Sequence, residues 1–346
     1  MKKSLLSALT LTLLGITAAP VQAAWEALPE VAPAPKDNPT TPAKVELGKM
    51  LYMDPRLSST GTVSCNSCHN VMEGGDDSRP VSMGVNGKTG GRSAPSVWNA
   101  AFYSVQFWDG RVNLLEDQAK GPMTNPVEMG APNHDHVMAK IRAIPGYQAS
   151  FEKAFGKDSM TIENTAKAIA AFERTLITPN SAYDRYVKGD KKAMTAQQVQ
   201  GMKTFAEVGC NSCHSGANFS GPKMPVGQGF YATFPTFTDN KYSKQYDLMA
   251  DKGRQEATGK AADAHKFRVP TLRNITDTAP YFHNGSVNDL SEAVRVMAKT
   301  QLNKDLSDKQ VADIVAFLGA LTGPYPEITM PRLPATAGTS LVGARE

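Results

Sequence analysis

The four cysteines of the 346-residue chain all lie in two copies of one short motif, and each copy ends in a histidine. The copies are Cys65-Asn-Ser-Cys68-His69 and Cys210-Asn-Ser-Cys213-His214. Two thiols three positions apart on a helical turn can each add to a vinyl group of haem, and the next residue can place its imidazole beneath the iron. The spacing therefore predicts two covalently bound c-type haems.

Two other uses of paired cysteines explain less of this pattern. A thioredoxin-like redox pair needs no histidine after its second cysteine. A zinc site made of four cysteines leaves both histidines without a role. Histidine occupies only 6 of 346 positions, so its place directly after both pairs favours haem attachment.

The remaining axial ligands decide what such haems can do. A haem with both axial positions filled transfers electrons, whereas one with an open position can act on a small molecule. Met297 is a candidate second ligand for the haem at His214, because it lies on the amphipathic segment 290–299. A methionine at this position can equally well pack into the hydrophobic core beside the helix. Spacing alone leaves both interpretations open.

Gln118 and Glu128 lie in a predicted loop after the aromatic pair Phe107-Trp108. Beside an open haem, a carboxylate could take a proton from one oxygen of a peroxide and return it to the other, while an amide orients the peroxide. Alternatively, Gln118 and Glu128 are solvent-exposed loop residues without a catalytic role. Trp108 can likewise be a buried core residue.

The elements that must position these residues are predicted to be helices. Thr41-Pro42 can begin one helix, apolar spacing predicts another at 161–177, and capping boxes at 195–198 and 307–310 begin two more. Residues 215–265 lack periodicity and are predicted to form a long loop that serves a site. No sustained alternation predicts strands, so the fold class is all-α with long loops.

The motif repeats after 145 residues, from His69 to His214, which suggests one haem in each of two cytochrome c-type domains. The predicted boundary lies near Thr178-Pro179-Asn180. Residues 24–179 then form the first domain, residues 180–322 the second, and residues 323–346 a Pro-rich tail.

Composition and the N-terminus limit the possible functions. Lys and Arg number 37 against 33 Asp and Glu, and this near-neutral balance gives no support to a nucleic-acid binder. Residues 1–23 combine Lys2 and Lys3 with a short apolar run and a small-residue end, which predicts a cleaved secretory signal. No later segment approaches the ~20 apolar residues of a membrane span. We therefore expect a periplasmic protein without a membrane span.

With several further blocks in a characteristic order, the chain resembles the bacterial dihaem cytochrome c peroxidase family over nearly all of its predicted mature length. Besides the two cysteine motifs, the blocks are Leu47-Gly-Lys-Met-Leu-Tyr52, Asp54-Pro-Arg-Leu-Ser58, Gln106-Phe-Trp-Asp-Gly-Arg111, Glu116-Asp-Gln-Ala-Lys-Gly-Pro122, Pro126-Val-Glu-Met129, Phe267-Arg-Val-Pro-Thr-Leu-Arg-Asn274 and Ala279-Pro-Tyr-Phe-His-Asn-Gly285. One motif alone would not specify a function, but the ordered set does.

The resemblance implies a haem role for several candidates. His69 would hold a low-potential, peroxidatic haem in the first domain. His214 and Met297 would ligate a high-potential haem that receives electrons. Trp108 matches a tryptophan between the two haems, and His283 is expected to support the haem interface without ligating iron.

The resemblance also implies the reaction. Glu128 matches the acid–base carboxylate and Gln118 its polar partner, so the protein would reduce hydrogen peroxide to water. A small cytochrome c or cupredoxin would supply the electrons, and a homodimer is expected. Two rivals are a dihaem electron carrier without catalysis and an oxidase that modifies a partner protein. The latter has tyrosine where Met297 stands here.

The chain departs from the family pattern at two positions. Many members carry a distal histidine 16 residues after the proximal one, and Val85 stands there, so the peroxidatic haem is expected to be open without prior reduction. Met72, Met83 and Lys88 are alternative ligands in this region, and a distant histidine is a further alternative.

The second departure concerns a calcium ion that family members hold between their haem domains. Ser93 replaces the asparagine that ligates this ion, while the backbone carbonyls of Thr278 and Pro280 match the other protein ligands. A serine hydroxyl can still bind calcium.

Overall fold

The computed structural model describes residues 25–336, so the predicted signal at residues 1–23 lies outside the described residues. The described chain is mainly helical. Its helices are α1 Pro42–Met53, α2 Cys65–Cys68, α3 Leu115–Thr124, α4 His134–Arg142, α5 Pro145–Phe155, α6 Ile162–Glu173, α7 Ala182–Val187, α8 Ala196–Val208, α9 Lys241–Gln245, α10 Gln255–Thr258, α11 Leu290–Leu302 and α12 Asp308–Ala320. Irregular segments and short 3₁₀ turns join them.

Helix α1 forms as predicted from Thr41-Pro42. The Thr41 hydroxyl accepts a hydrogen bond from the Lys44 amide, and Pro42 occupies the first turn, where no N–H is required. Its buried face packs against α6. A Cβ atom on Gly48 would lie 1.8 Å from the Ala168 carbonyl oxygen, so only glycine permits this close contact of the two helices.

Helices α8 and α12 repeat the same arrangement in the C-terminal half. Each begins with the predicted capping box, Thr195 with Gln198 in α8 and Ser307 with Gln310 in α12. A Cβ atom on Gly201 would lie 1.8 Å from the Asp313 carbonyl oxygen. The internal repeat that the cysteine motifs indicate therefore extends to the helix pairs around them.

The hydrophobic side chains form separate clusters. The largest surrounds α1 and α6 and extends from Leu47 to Leu176. A second, rich in edge-to-face aromatic pairs, runs from Tyr183 to Leu321. The two clusters lie on either side of residues 178–180, but the position of a domain boundary stays a prediction.

Both ends of the described chain cross between these clusters. Trp25, near the N-terminus, packs against Tyr183 and Phe317 of the second cluster. In the opposite direction, Ile328 and Leu333 of the C-terminal tail pack on the first cluster. Each end therefore ties one half of the chain to the other.

Three details differ from the sequence-based expectations. Residues 231–233 and 266–268 form a small antiparallel sheet in a fold predicted to be all-α, with Ala232 opposite Phe267. Three-residue strands are too short to show alternation, and their pairing is a long-range contact. The predicted loop 215–265 contains one of these strands and helices α9 and α10, while the helix predicted over 161–177 ends at Glu173.

Between Trp25 and Thr336, none of the helices has both the length and the apolar character that crossing a bilayer requires.

Candidate haem-binding sites

His69 follows directly after helix α2. A reciprocal pair of hydrogen bonds between Ser64 and Ser67 caps this helix, and the His69 amide bonds to the Cys65 carbonyl at 2.9 Å. The His69 Nδ1 atom lies 2.9 Å from the Pro95 carbonyl oxygen, so Nδ1–H donates and the lone pair of Nε2 remains for a metal. Burial lowers the pKa of His69, which favours this neutral form.

His214 has the same environment in the other half. Its amide bonds to the Cys210 carbonyl at 3.0 Å, and its Nδ1 lies 3.0 Å from the Phe219 carbonyl oxygen. Burial also lowers the pKa of His214. Burial therefore favours the neutral form of both histidines, and each ring is oriented by a backbone carbonyl in a way that suits it to ligate iron.

None of the four cysteines forms a disulfide. Burial raises the pKa of Cys65 and Cys68, and it raises that of Cys210 to about 12. These three side chains are partly buried thiols, and their position suits them to thioether bonds with a buried porphyrin.

A cavity of about 690 Å³ lies beside His69, Cys65 and Cys68, and both Gln118 and Glu128 line it. This volume is in the range of cofactor pockets. The sequence places Gln118 and Glu128 in one loop, which is wrong for Gln118, because it lies on helix α3. That helix continues through Pro122 to Thr124 because buried Ala119 and Met123 anchor it in the first core cluster.

Glu128 is held at the cavity wall by its neighbour Asn125. The Asn125 side-chain amide donates to Glu128 Oε1 at 2.8 Å. Burial raises the pKa of the Glu128 carboxyl, while Arg111 and this hydrogen bond oppose the rise. A partly desolvated carboxyl of this kind binds a proton more readily than an exposed one, which suits it to accept and return a proton.

Val85 does not line this cavity. Its side chain is 2% exposed and belongs to the first core cluster. The three alternative ligands of this region lie at the surface: Met72 is 70% exposed, and Met83 and Lys88 are exposed as well. In the described chain none of these four side chains is among the cavity's lining residues.

A second cavity lies beside His214 and is lined mainly by apolar side chains. Cys210, Cys213 and Met297 line it. Met297 is on helix α11 and also packs on the core cluster that contains Val296. The structure thus brings His214 and Met297 to one cavity. Met297 also packs against the core, so both interpretations of this residue agree with its position.

Trp108 and His283 line both cavities. The Trp108 indole N–H donates to the Ser93 carbonyl at 2.9 Å, and its ring lies 6.4 Å from the His283 imidazole. His283 stacks on Phe267 with ring centroids 4.3 Å apart. A continuous group of aromatic rings therefore separates the two candidate haem sites.

Arg268 is a further residue at both cavities, and its sequence position within the block Phe267–Asn274 carries no sign of this role. It is buried, lines both cavities and leaves Nη1 without a hydrogen-bond partner in the described chain. A buried guanidinium with an unused donor fits a carboxylate-bearing group. Haem carries two propionates, so Arg268 and the two neutral histidines together fit this cofactor.

The three predicted calcium ligands, Ser93, Thr278 and Pro280, line the second cavity. Neither the Thr278 nor the Pro280 carbonyl accepts a backbone hydrogen bond in the described part of the chain. Nearby Asp76 is buried, and its Oδ1 atom has no partner there. Free carbonyls and an orphaned carboxylate oxygen fit a hard cation such as calcium. Among residues 25–336 no group of three or more His, Cys, Asp or Glu side chains is placed to hold a metal ion.

A mainly helical fold with two Cys-x-x-Cys-His sites, each beside its own cavity, defines a dihaem protein of the c type. The profile of the family described as di-haem cytochrome c peroxidase matches residues 42–192. The chain is 42% identical over 320 residues to the cytochrome c551 peroxidase of Pseudomonas aeruginosa, covering 92% of this chain and 90% of that protein. It is 41% identical over 305 residues to the cytochrome c551 peroxidase of Nitrosomonas europaea, covering 88% and 87%.

Among solved structures, a MauG-like protein associated with microbial copper homeostasis superimposes with a TM-score of 0.75 at 30% identity. The match covers 86% of this chain and 95% of that one. The chain therefore belongs to the di-haem cytochrome c peroxidase family, as its ordered sequence blocks predict.

Proposed function

We propose that the protein is a periplasmic peroxidase that reduces hydrogen peroxide to water with electrons from a small redox protein. Hydrogen peroxide, two electrons and two protons give two water molecules. The observation that carries the proposal is that His69 and Glu128 line one cavity while the residue at position 85 is buried elsewhere. A pure electron carrier has no use for a desolvated carboxyl in an otherwise open haem cavity.

The chain's own residues would manage the peroxide and its proton. When bound, the haem at His69 supplies the iron chemistry that breaks the O–O bond. Glu128 accepts a proton from the peroxide oxygen that faces the iron and returns it to the leaving oxygen. Gln118, on the same cavity wall, donates a hydrogen bond that orients the peroxide. Asn125 holds the carboxyl in place.

The half around His214 would receive the electrons. Met297 would be the second ligand of that haem, because a thioether raises the potential and favours electron acceptance. Trp108, which lines both cavities, would lie on the electron path between the haems. The donor would be a small cytochrome c or a cupredoxin.

The peroxidatic haem would keep its second axial position open in the oxidised protein. Val85 cannot ligate iron, and the exposed positions of Met72, Met83 and Lys88 do not bring them to the cavity. The protein would then react with peroxide without first being reduced.

The remaining parts of the proposal concern assembly and location. Two haem domains, residues 24–179 and 180–322, would enclose a calcium ion ligated by Ser93, Thr278 and Pro280. The signal at residues 1–23 would direct the protein to the periplasm, where a homodimer would form.

Peroxide turnover by a Glu128→Gln variant tests the function. The variant should keep both haems, because Glu128 makes no contact with either cysteine motif in the hydrogen-bond network, and should lose about 100-fold or more of its turnover. Glu163→Gln, on the exposed face of α6, is the matched control. Wild-type protein that never consumes peroxide would identify an electron carrier, and full activity in the Glu128 variant would show that its role is misassigned.

A further inference from the structure

Asp76 is a buried acid that is not among the three residues proposed to ligate calcium. Its side chain is 3% exposed, and its Oδ1 atom has no hydrogen-bond partner within residues 25–336. Its backbone is fixed, because the Asp76 carbonyl accepts a hydrogen bond from the Asn70 amide at 3.0 Å. A buried carboxylate oxygen without a protein partner is costly unless a proton, a water molecule or a cation pairs with it.

The unpartnered oxygen lies near the backbone that carries the proposed calcium ligands. A Cβ atom on Gly74 would be 2.9 Å from Asp76 Oδ1 and 2.1 Å from the Asp277 carbonyl oxygen. These two oxygens are therefore within about 5 Å of each other, and Thr278 is the next residue. Asp76, Ser93, Thr278 and Pro280 all line the same cavity.

The charges around Asp76 do not compensate it. Burial raises the pKa of its carboxyl, and the acidic Asp77 and Glu73 raise it further, while backbone hydrogen bonds at Asp76 and Ser78 oppose this rise. Tyr281 lines the same cavity, and burial raises its pKa to about 12 with a further rise from the negative charges of Asp289, Asp277 and Asp76. A buried carboxylate among like charges either binds a proton or pairs with a cation. A hard divalent ion with carbonyl and carboxylate ligands can be that cation.

We propose that Asp76 contributes a carboxylate oxygen to the calcium ion that Ser93, Thr278 and Pro280 bind, a proposal that rests on the calcium site proposed above. The serine hydroxyl and the two carbonyls are neutral, so these three ligands provide no negative charge to balance a divalent cation. The Asp76 carboxylate provides one negative charge. The alternative, in which Asp76 stays protonated and bonds to the Asp277 carbonyl, needs no cation and makes the opposite prediction.

Calcium binding to the complete dihaem protein separates these cases. After removal of calcium with EGTA, equilibrium dialysis against radioactive calcium is performed on wild type, Asp76→Asn and Asp77→Asn. We expect Asp76→Asn to bind calcium at least about tenfold more weakly than wild type. Asp77→Asn removes the neighbouring, partly exposed charge and should stay within about threefold of wild type, since it supplies no ligand.

Each result has one meaning. If wild type binds calcium and Asp76→Asn binds it equally well, the role of Asp76 is wrong while the calcium site stands. If wild type binds no calcium, both fail, and the peroxidase function is unaffected. Unchanged haem absorbance and an unchanged unfolding temperature in EGTA show that the variant is folded.

A second measurement uses only the wild-type protein, so it tests the proposal even if the Asp76→Asn variant does not fold. An infrared difference spectrum between the calcium-loaded and EGTA-treated protein should show a carboxylate band shift that marks coordination. A spectrum without any carboxylate change would overturn the proposal.

Discussion

The amide N–H of Val85 donates a hydrogen bond to the Glu128 carbonyl oxygen at 2.8 Å. The segment that carries the distal histidine in many family members is thus joined to the backbone of the proposed acid–base residue. On the other side of Glu128, a Cβ atom on Gly130 would lie 2.7 Å from Val85 Cγ2, so the two segments pack without space between them. Val85 therefore contributes to the core, and the cavity wall belongs to Glu128.

This packing predicts an open haem at His69 in the oxidised protein. We expect an electron paramagnetic resonance spectrum with one high-spin and one low-spin ferric centre, because no side chain from the 72–88 region that could replace the distal histidine reaches the cavity. Met72→Ala should leave the spectrum unchanged, since Met72 is 70% exposed. A spectrum that contains only low-spin iron would contradict the prediction.

Met297 can be tested separately as an iron ligand and as a core residue. Met297→Leu keeps the apolar volume, so the free energy of unfolding should change by less than ~1.5 kcal/mol. Loss of the thioether should nevertheless lower the reduction potential of the haem at His214. Spectroelectrochemical titration measures this potential, and a value equal to that of wild type would assign Met297 to packing alone.

Glu173 predicts a pH-dependent stability. It is buried beside the first cavity, Oε2 has no partner in the described chain, and burial raises the pKa of its carboxyl from 4.5 to about 8 despite the adjacent Arg174. Between these two pH values the folded protein binds more protons than the unfolded one, so stability falls as pH rises and levels off above about pH 8.

For a shift of this size the loss is about 3–5 kcal/mol. Glu173→Gln cannot ionise and should remove most of the fall, whereas Glu163→Gln should keep it. Guanidinium unfolding at pH 5 and pH 8.5, followed by circular dichroism, measures the difference. Equal pH dependence in wild type and Glu173→Gln would show that Glu173 does not titrate in this range.

The contact between α8 and α12 predicts opposite effects for two glycine substitutions. Gly201→Ala places a methyl group 1.8 Å from the Asp313 carbonyl, which must separate the helices and should cost ~1–3 kcal/mol or more. Gly319→Ala in α12 meets nothing within 4 Å and should stabilise the helix by up to ~1 kcal/mol. Chemical denaturation measures both changes, and a neutral Gly201→Ala would mean that the helices separate freely.

The chemistry at the cysteines could be predicted from the sequence because it is encoded within a single helical turn. Cys65, Cys68 and His69 are neighbours in sequence, so their spacing alone predicts haem attachment and a proximal ligand. Helix α1 and the capping boxes of α8 and α12 could be predicted for the same reason, since their signals lie within four residues. The ordered blocks also identified the family, which the comparisons confirm.

The environment of the sites was decided by contacts between distant segments. Gln118 is helical because its neighbours are buried, although Gly121-Pro122 suggests a loop. The core position of Val85 depends on Glu128 and Gly130 more than 40 residues away. Arg268 and Asp76 emerge as site residues only because folding buries them without partners.

The division follows from physics. The sequence by itself determined which atoms can bond to haem, because bond formation needs only local geometry. Burial, charge compensation and the shape of a cavity arise only when separated segments exclude water together, and no local pattern records which segments meet. The tertiary structure therefore decided which candidate side chains line each cavity, and which buried polar atoms are left to hold something other than protein.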